Sequence, residues 1–384
     1  MRGLTVLSLV VASLLLVACS SEPKKDKDES STTEKKELVS EGSTTEKKKL
    51  VIDHKLAHGN EKATIEEIVK SAMSNGNSAK IAPVSASKEA SSGDVFDYKL
   101  KPKDIGKGVY CFFGALDKPT KENAGFMVNS CYVKTKEGYW VMGTGPSYEF
   151  AKQSYEAMQK IADLPVKYIV NSHVHDDHWL GNDFFKKKFN ATLIGPEGIN
   201  TDFKEGDKTR MYKMLPANAI KGTHIIKVDE TPDKDITTYK LGGEEFQVYA
   251  MPMKAHTAKD LFVYIPSRKV ILAGDLIMNG RVNSDRDGSV MGELMAIDMM
   301  KKLDWEILAP GHGLITDKTA MDETIQYFTL MKERVQAAME DGADSTDITD
   351  KVKLEEFKDK AMYDILNARN VGYAYDEFEM LDDE

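Results

Sequence analysis

Between Asn171 and Asn182 the chain reads NSHVHDDHWLGN, which sets His173, His175 and His178 beside Asp176 and Asp177. The whole sequence holds 8 His in 384 residues, so three histidines packed this closely need a cause. A solvated polar loop is one ordinary reading, and a helix N-terminus capped by Asp is another. Capping accounts for one Asp and for no histidine. Neutral imidazole nitrogens with a few carboxylate oxygens are instead the ligand set that suits zinc.

Three more residues of the same types recur downstream. His256 follows the strand-like run EFQVYAM (245–251), Asp275 follows KVILAG (269–274), and His312 follows WEILA (305–309); the first cluster follows VKYIVN (166–171). The runs predict each of these residues in a loop just past the C-terminal end of a strand, where open α/β sheets place their sites. Seven side chains meeting there are too many for one tetrahedral ion. Two ions sharing one carboxylate, with a water between them, use all seven. Burying five histidines and two aspartates without metal carries a large desolvation cost.

The elements that must bring them together follow from periodicity. Strand-like runs lie at 108–114, 129–135, 139–143, 192–195 and 261–265, and a Pro266-Ser267 turn joins LFVYI to KVILAG as a hairpin. Helical spacing covers 147–163, 180–189, 290–303 and 317–340. The order predicts two sheets packed together with helices outside, in one α/β domain over residues 105–384.

The ordered set His173-Val174-His175-Asp176-Asp177-His178, His256-Thr257, Gly274-Asp275 and Pro310-Gly311-His312-Gly313 resembles the metallo-β-lactamase superfamily. The resemblance also takes in NAGFMVNSCYV, AGDLIMNGRV and LAPGHG, runs from about residue 105 to about residue 375, and is to the sulfur-oxidation and quinoprotein-relay type of zinc metallohydrolase. It implies a four-layer αββα sandwich. It also implies that His173, His175 and His256 hold one Zn2+, that Asp177, His178 and His312 hold a second, and that Asp275 bridges them. A hydroxide between the metals is then the nucleophile, and Asp177 steers its proton.

The implied substrates are an ester, thioester, lactone, phosphoester or lactam. The β-lactamase branches lack an Asp that bridges the metals, which disfavours the lactam. Related folds support a different chemistry, a persulfide dioxygenase with one Fe2+ on His173, His256 and Asp275. A third reading, a surface protein that only binds metal or a partner, predicts an incomplete ligand set. Two divalent ions outweigh two aspartates and a hydroxide, so an anionic or strongly polarised small molecule fits best. Arg281 either aims its guanidinium at such a group or pairs with a structural Asp. Two positions depart from the family pattern: Gly143 stands where an Asp supports the ligand loop, and Ala255 stands where a Gly precedes the single His.

The ends of the chain set its address. MRGLTVLSLVVASLLLVAC reads as an export signal over 1–18, and Leu16-Val17-Ala18-Cys19 resembles a bacterial lipobox, which implies acylation of Cys19 and a membrane-anchored lipoprotein of the cell envelope, in the periplasm or at the surface. Residues 19–51 have almost no apolar side chains and repeat STTEKKELV (31–39) as STTEKKKLV (43–51), the pattern of a disordered tether. Residues 52–104 form an accessory segment with a capping box at Thr64–Glu67. A formal charge of −10 with no basic cluster excludes a nucleic-acid groove.

Smaller signals have ordinary readings. Cys111 and Cys131 are either a disulfide across a hairpin or two packed thiols. His54, His58 and His224 read as surface residues, the methionines of 278–300 as core filler, Trp179 as packing, and the tail DEFEMLDDE as solvated.

Overall fold

Strands that are apolar at odd and even positions alike have no face to offer water and must be covered on both sides. The computed structural model, which describes residues 95–382 except 205, covers them in that way. Cys19, the tether, His54, His58 and residues 52–94 lie outside the described residues.

The first sheet has six strands, in the order β1 (Lys103–Gly106), β2 (Val109–Phe112), β3 (Ser130–Lys134), β4 (Tyr139–Met142), β5 (Val166–Val170) and β6 (Thr192–Ile194). The second contains β7 (Ile236–Leu241), β8 (Glu244–Ala250), β9 (Leu261–Ile265), β10 (Val270–Met278) and β11 (Ile307–His312), and its order is β11-β10-β9-β8-β7. Pairing is parallel for β4–β5, β5–β6 and β10–β11 and antiparallel elsewhere.

Alternation divides the side chains between layers. Cys111, Cys131, Val133, Trp140 and Met142 point inward against Phe246, Val248, Leu261, Val263 and Leu272 of the other sheet. Trp140 stacks on Phe246 with ring centroids 4.4 Å apart, across the two sheets. The even-numbered neighbours Phe112 and Tyr132, with Tyr139 and Val141, face outward onto α1 (Tyr148–Gln159) and α2 (Asn182–Phe189). On the far side, Phe262, Tyr264, Ile271 and Ala273 pack under α3 (Val290–Lys301) and α4 (Asp322–Glu340). Helix, sheet, sheet and helix thus form the expected four layers.

The helices begin where their caps place them. Ser147 Oγ accepts the Phe150 amide at 3.2 Å, and the buried residues Phe150, Ala151, Ser154, Tyr155 and Met158 recur at helical spacing along α1. Gly292 N donates to Ser289 Oγ at 3.0 Å to open α3. α2 stops at Asn190, whose φ of 50° is the left-handed turn that Asn tolerates.

Several expectations are corrected. β10 runs on to Met278 and β11 begins at Ile307 and includes His312, so Asp275 and His312 stand within strands and not in loops beyond them. The cause is an irregular β10–β11 register around Gly274, whose φ of 57° turns the strand without ending it. β1 and β7 were not foreseen. Helix α5 (Tyr363–Asp382) was not foreseen either; it continues into the acidic tail, where Asp376, Glu379, Met380 and Leu381 are exposed as expected and Phe378 is buried. Val371, Ala374, Tyr375 and Phe378 form a buried stripe at helical spacing, packed with Phe328 and Met331 of α4. Trp179 packs as expected, buried, with Nε1 donating to Val174 O at 3.0 Å and its ring against Phe203.

Cys111 and Cys131 face one another in the β2–β3 register and form a disulfide, which settles the choice between bridge and free thiols. Closing a loop over a sequence separation of 20 restricts the unfolded chain by about 3 kcal/mol in the chain-entropy model. Replacing both residues with Ser should therefore lower the midpoint of thermal unfolding by roughly 5–10 °C, read by calorimetry or circular dichroism. An unchanged midpoint would show that the bridge contributes nothing.

Candidate metal centre

Every segment of the centre is tied before its ligands meet. Asn171 and Asn182, the two ends of NSHVHDDHWLGN, exchange amide hydrogen bonds at 3.1 and 2.7 Å and close the motif into one loop after β5. The two sheets are joined beneath it, where Leu261 N donates to Ser172 O at 2.7 Å. Asp260 holds the His256 turn by accepting Thr257 N at 2.8 Å and Thr257 Oγ1 at 3.0 Å, and burial raises its carboxyl to about 7. Asn129 Nδ2 donates to Pro310 O and Gly313 O at 2.9 and 2.8 Å, clamping both sides of His312. A Cβ on Gly311 would fall 2.0 Å from Asp275 Oδ1, so only glycine lets β11 lie against that carboxylate.

The structure brings all seven predicted residues together in two groups: His173, His175, His256 and Asp275, and Asp177, His178 and His312. In the first, His175 Nδ1 lies 3.0 Å from His173 Nε2 and 3.1 Å from His256 Nε2. Asp275 Oδ2 lies 3.6 Å from His173 Nε2 and 3.5 Å from His256 Nε2. Ligands at about 2.0–2.1 Å from a tetrahedral ion are separated by about 3.3–3.4 Å, so these spacings bracket a zinc coordination sphere. Asp275 also reaches the second group: Oδ2 is 3.3 Å from His312 Nε2, and Oδ1 is 3.1 Å from His178 Nε2.

Charge and hydrogen bonding agree with that purpose. Burial, with His178 beside it, drives His173 well below the ordinary imidazole range, and burial lowers His256 to about 3, so both rings are neutral, each with one nitrogen free to offer a lone pair. Burial opposes the charge on Asp275, but His178, His312 and His173 outweigh it and keep the carboxyl well below its usual value. His178 Nε2 and Asp275 Oδ1 are buried and make no hydrogen bond despite their closeness. Unpaired donors and acceptors of this kind are rare in folded interiors. A cation between them satisfies them, and the residues present fit a metal pair.

The outer nitrogens have partners of their own. Ser172 Oγ is 2.9 Å from His173 Nδ1, Asp287 Oδ2 is 2.9 Å from His175 Nε2, and Met127 O is 2.8 Å from His312 Nδ1. Such contacts select the tautomer and aim the ligating nitrogen. Asp177 is held by Arg210, whose Nη2 donates to its Oδ1 at 2.7 Å; burial would raise its carboxyl, but Arg210, His178 and His312 hold it well below normal. Arg210 also reaches Asp176 at 3.4 Å.

Arg210, Asn129 and Asp287 were missed by sequence reasoning. No spacing pattern marked them, because each acts through a fold contact across more than a dozen residues. Arg281 lies at the centre, buried, with Nη1 3.4 Å from His312 Nδ1 and Nε 3.4 Å from Val282 O. The alternative pairing with a structural Asp does not occur within ion-pair distance among the described residues. His224 is exposed and joins neither group.

Residues 123–312 match the model of the metallo-beta-lactamase superfamily. A metallo-beta-lactamase type 2 from Elizabethkingia meningoseptica is 25% identical over 226 residues, covering 56% of this chain and 80% of that protein. A linear primary-alkylsulfatase from Pseudomonas sp. is 21% identical over 265 residues, and the chain spans 49% of its length. The solved sec-alkylsulfatase Pisa1 from Pseudomonas sp. shares the fold with a TM-score of 0.54 at 16% identity, over 73% of this chain and 50% of that one. Residues 123–312 thus form a metallo-beta-lactamase superfamily domain, and the relatives that share it are hydrolases by name, which supports a metal-dependent hydrolase.

Proposed function

We propose that the protein is a dinuclear zinc hydrolase cleaving an ester, thioester or phosphate or sulfate ester that carries an anionic group, and that it works from a lipid anchor at Cys19 in the cell envelope. One observation carries the reaction: Asp275 stands between two complete sets of ligands, with Oδ2 facing His173, His256 and His312 and Oδ1 facing His178. A mononuclear iron site on His173, His256 and Asp275 would leave Asp177, His178 and His312 buried together without work.

In this reading His173, His175 and His256 would hold one zinc and Asp177, His178 and His312 the other, with Asp275 within reach of both groups. The bound pair supplies a water whose pKa falls from about 15.7 toward about 7 and a Lewis acid for the oxygen under attack. Asp177, kept ionised by Arg210, is a weak base; it orients a proton by accepting its hydrogen bond and does not retain it. The Arg281 guanidinium, buried with only two long contacts, is placed to meet an anionic substrate group. His312 Nδ1 already serves Met127 O at 2.8 Å, which leaves Arg281 free of it. The alkylsulfatase relative, by its name, acts on an ester with an anionic group. Lactam opening stays in the test as the activity named by the other relative.

Asp275→Asn should lose the shared ligand while keeping its size. Bound zinc should drop below the wild-type content, and turnover on the best of a panel of alkyl sulfates, phosphate esters, thioesters, lactones and nitrocefin should fall by more than about 100-fold, beyond what outer contacts cost. Wild-type protein that holds iron near one equivalent and consumes oxygen would overturn the hydrolase. Arg281→Met should raise KM for anionic esters about 10- to 100-fold, matching the ~1.5–3 kcal/mol of a charged hydrogen bond, with neutral lactones unaffected. Equal effects on both classes would remove Arg281 from substrate binding. Cys19→Ala should move the protein from the membrane to the soluble fraction; continued sedimentation with membranes would refute the anchor.

A further inference from the structure

Behind His256 stands a carboxyl group that the hydrolytic reading does not use. Glu293, in the first turn of α3, is fully buried, and neither of its oxygens has a hydrogen-bond partner. His256 Nδ1 is likewise buried and unpartnered, and Glu293 Oε1 lies 3.8 Å from it. Three of the other four histidines have a described partner on the outer nitrogen at 2.8–2.9 Å. His256 instead faces a carboxyl group across a gap about 1 Å too long for a hydrogen bond.

The backbone delivers Glu293 to that place. A Cβ on Gly292 would stand 1.8 Å from Lys254 O and 2.9 Å from the Ala255 Cα, so only glycine lets α3 lie against the segment that leads into His256. Ser289 N donates to Ala255 O at 2.7 Å, which fixes the helix start to the same segment. From the other side, Glu377 of α5 accepts Ser289 Oγ and Val290 N, both at 2.6 Å. Capping of its own helix does not explain Glu293, because Ser289 fills that role and the Glu293 oxygens bond nothing. A buried carboxyl without a partner destabilises a fold and calls for a use.

We infer that Glu293 is a positioning residue for the metal centre: its carboxyl accepts the His256 Nδ1–H and thereby fixes the ring so that Nε2 faces the cation. The inference rests on His256 being a ligand. Glu293 touches neither substrate nor metal; it acts through the imidazole, as outer carboxylates on metal-bound histidines do.

The test uses the full chain carrying Glu293→Leu or Glu293→Gln, with zinc affinity measured by competition against a chromophoric chelator and thermal unfolding measured on chelator-stripped protein. Glu293→Leu should weaken the tighter zinc about 10- to 100-fold, while the stripped protein unfolds at the wild-type temperature or above it, since an unpartnered buried carboxyl has been removed. Glu293→Gln keeps an accepting oxygen and should fall between. Wild-type affinity in both variants overturns the role, as does a loss of affinity matched by an equal loss of stability in the stripped protein. If Glu293→Leu does not fold, the Gln variant decides by the same two readings. A wild-type protein that takes up no zinc overturns the metal centre itself, an outcome separate from failure of Glu293 alone.

Discussion

The carboxylate of Asp275 is the point on which the structure turns. A single ionised group, 4% exposed, sits where four imidazole nitrogens approach it within 3.1–3.6 Å. Burying such a charge is unfavourable unless neighbours compensate it, and here those neighbours are the candidate ligands, drawn from both sheets. Its place in β10 is set by backbone more than by side chains. Gly274 takes a φ that other residues avoid, a Cβ there would meet Ser172 at 2.5 Å, and Gly311 leaves room for the carboxylate itself. The two glycines in AGD and PGHG are therefore part of the electrostatics. They allow β10, β11 and the loop after β5 to close to hydrogen-bonding distance around one anion.

The rest of the fold keeps that cluster from relaxing. Imidazoles that repel protons from one another would spread apart if their segments could move, so each segment has its own brace. The Asn171–Asn182 pair closes the first loop, Asp260 closes the second, and Asn129 with Asn279 closes the third, Asn279 Oδ1 accepting Leu314 N and Ile315 N at 2.9 and 3.0 Å. Gly143, where the family pattern carries an Asp, removes one support from the loop after β5, yet Thr144 N still donates to His178 O at 2.7 Å. Rigidity of this kind is what a metal site needs before a metal arrives.

How much of this could be read from sequence depended on whether a signal was local. The strands were legible because apolar runs bounded by turn residues leave few alternatives, and LFVYI was placed to the residue at Leu261–Ile265. The seven clustered side chains were legible because rare residue types recurred directly after apolar runs, although two of them, Asp275 and His312, lie within the strands. Arg210 was not, since it sits on a single short helical turn, Arg210–Met214, in a stretch with no periodicity, and meets Asp177 only through the fold. Helix α5 was hidden because its buried positions Val371, Ala374 and Tyr375 are few and interrupted by Gly372, and the helix then runs into an acidic end. The disulfide lay between these cases. Sequence placed Cys111 and Cys131 about opposite one another across a hairpin, but the bond itself could not be told from two packed thiols; the register and the bridge decide it.

The charge around the centre carries the last step. Asp177 and Asp275 face two guanidinium groups, those of Arg210 and Arg281, as well as the histidines, so the carboxylates are already balanced before any cation enters. Adding divalent ions leaves an excess of positive charge in a chain whose formal charge is −10. Burial lowers Arg281 from its ordinary value, which says that its charge is under-compensated where it stands. An incoming anion relieves that imbalance, and a neutral substrate does not. The negative surface keeps most anions at a distance, while a pocket of opposite sign rewards those that reach it. The proposed preference for an anionic ester thus rests on where the charges are buried, independently of how the pocket walls are shaped.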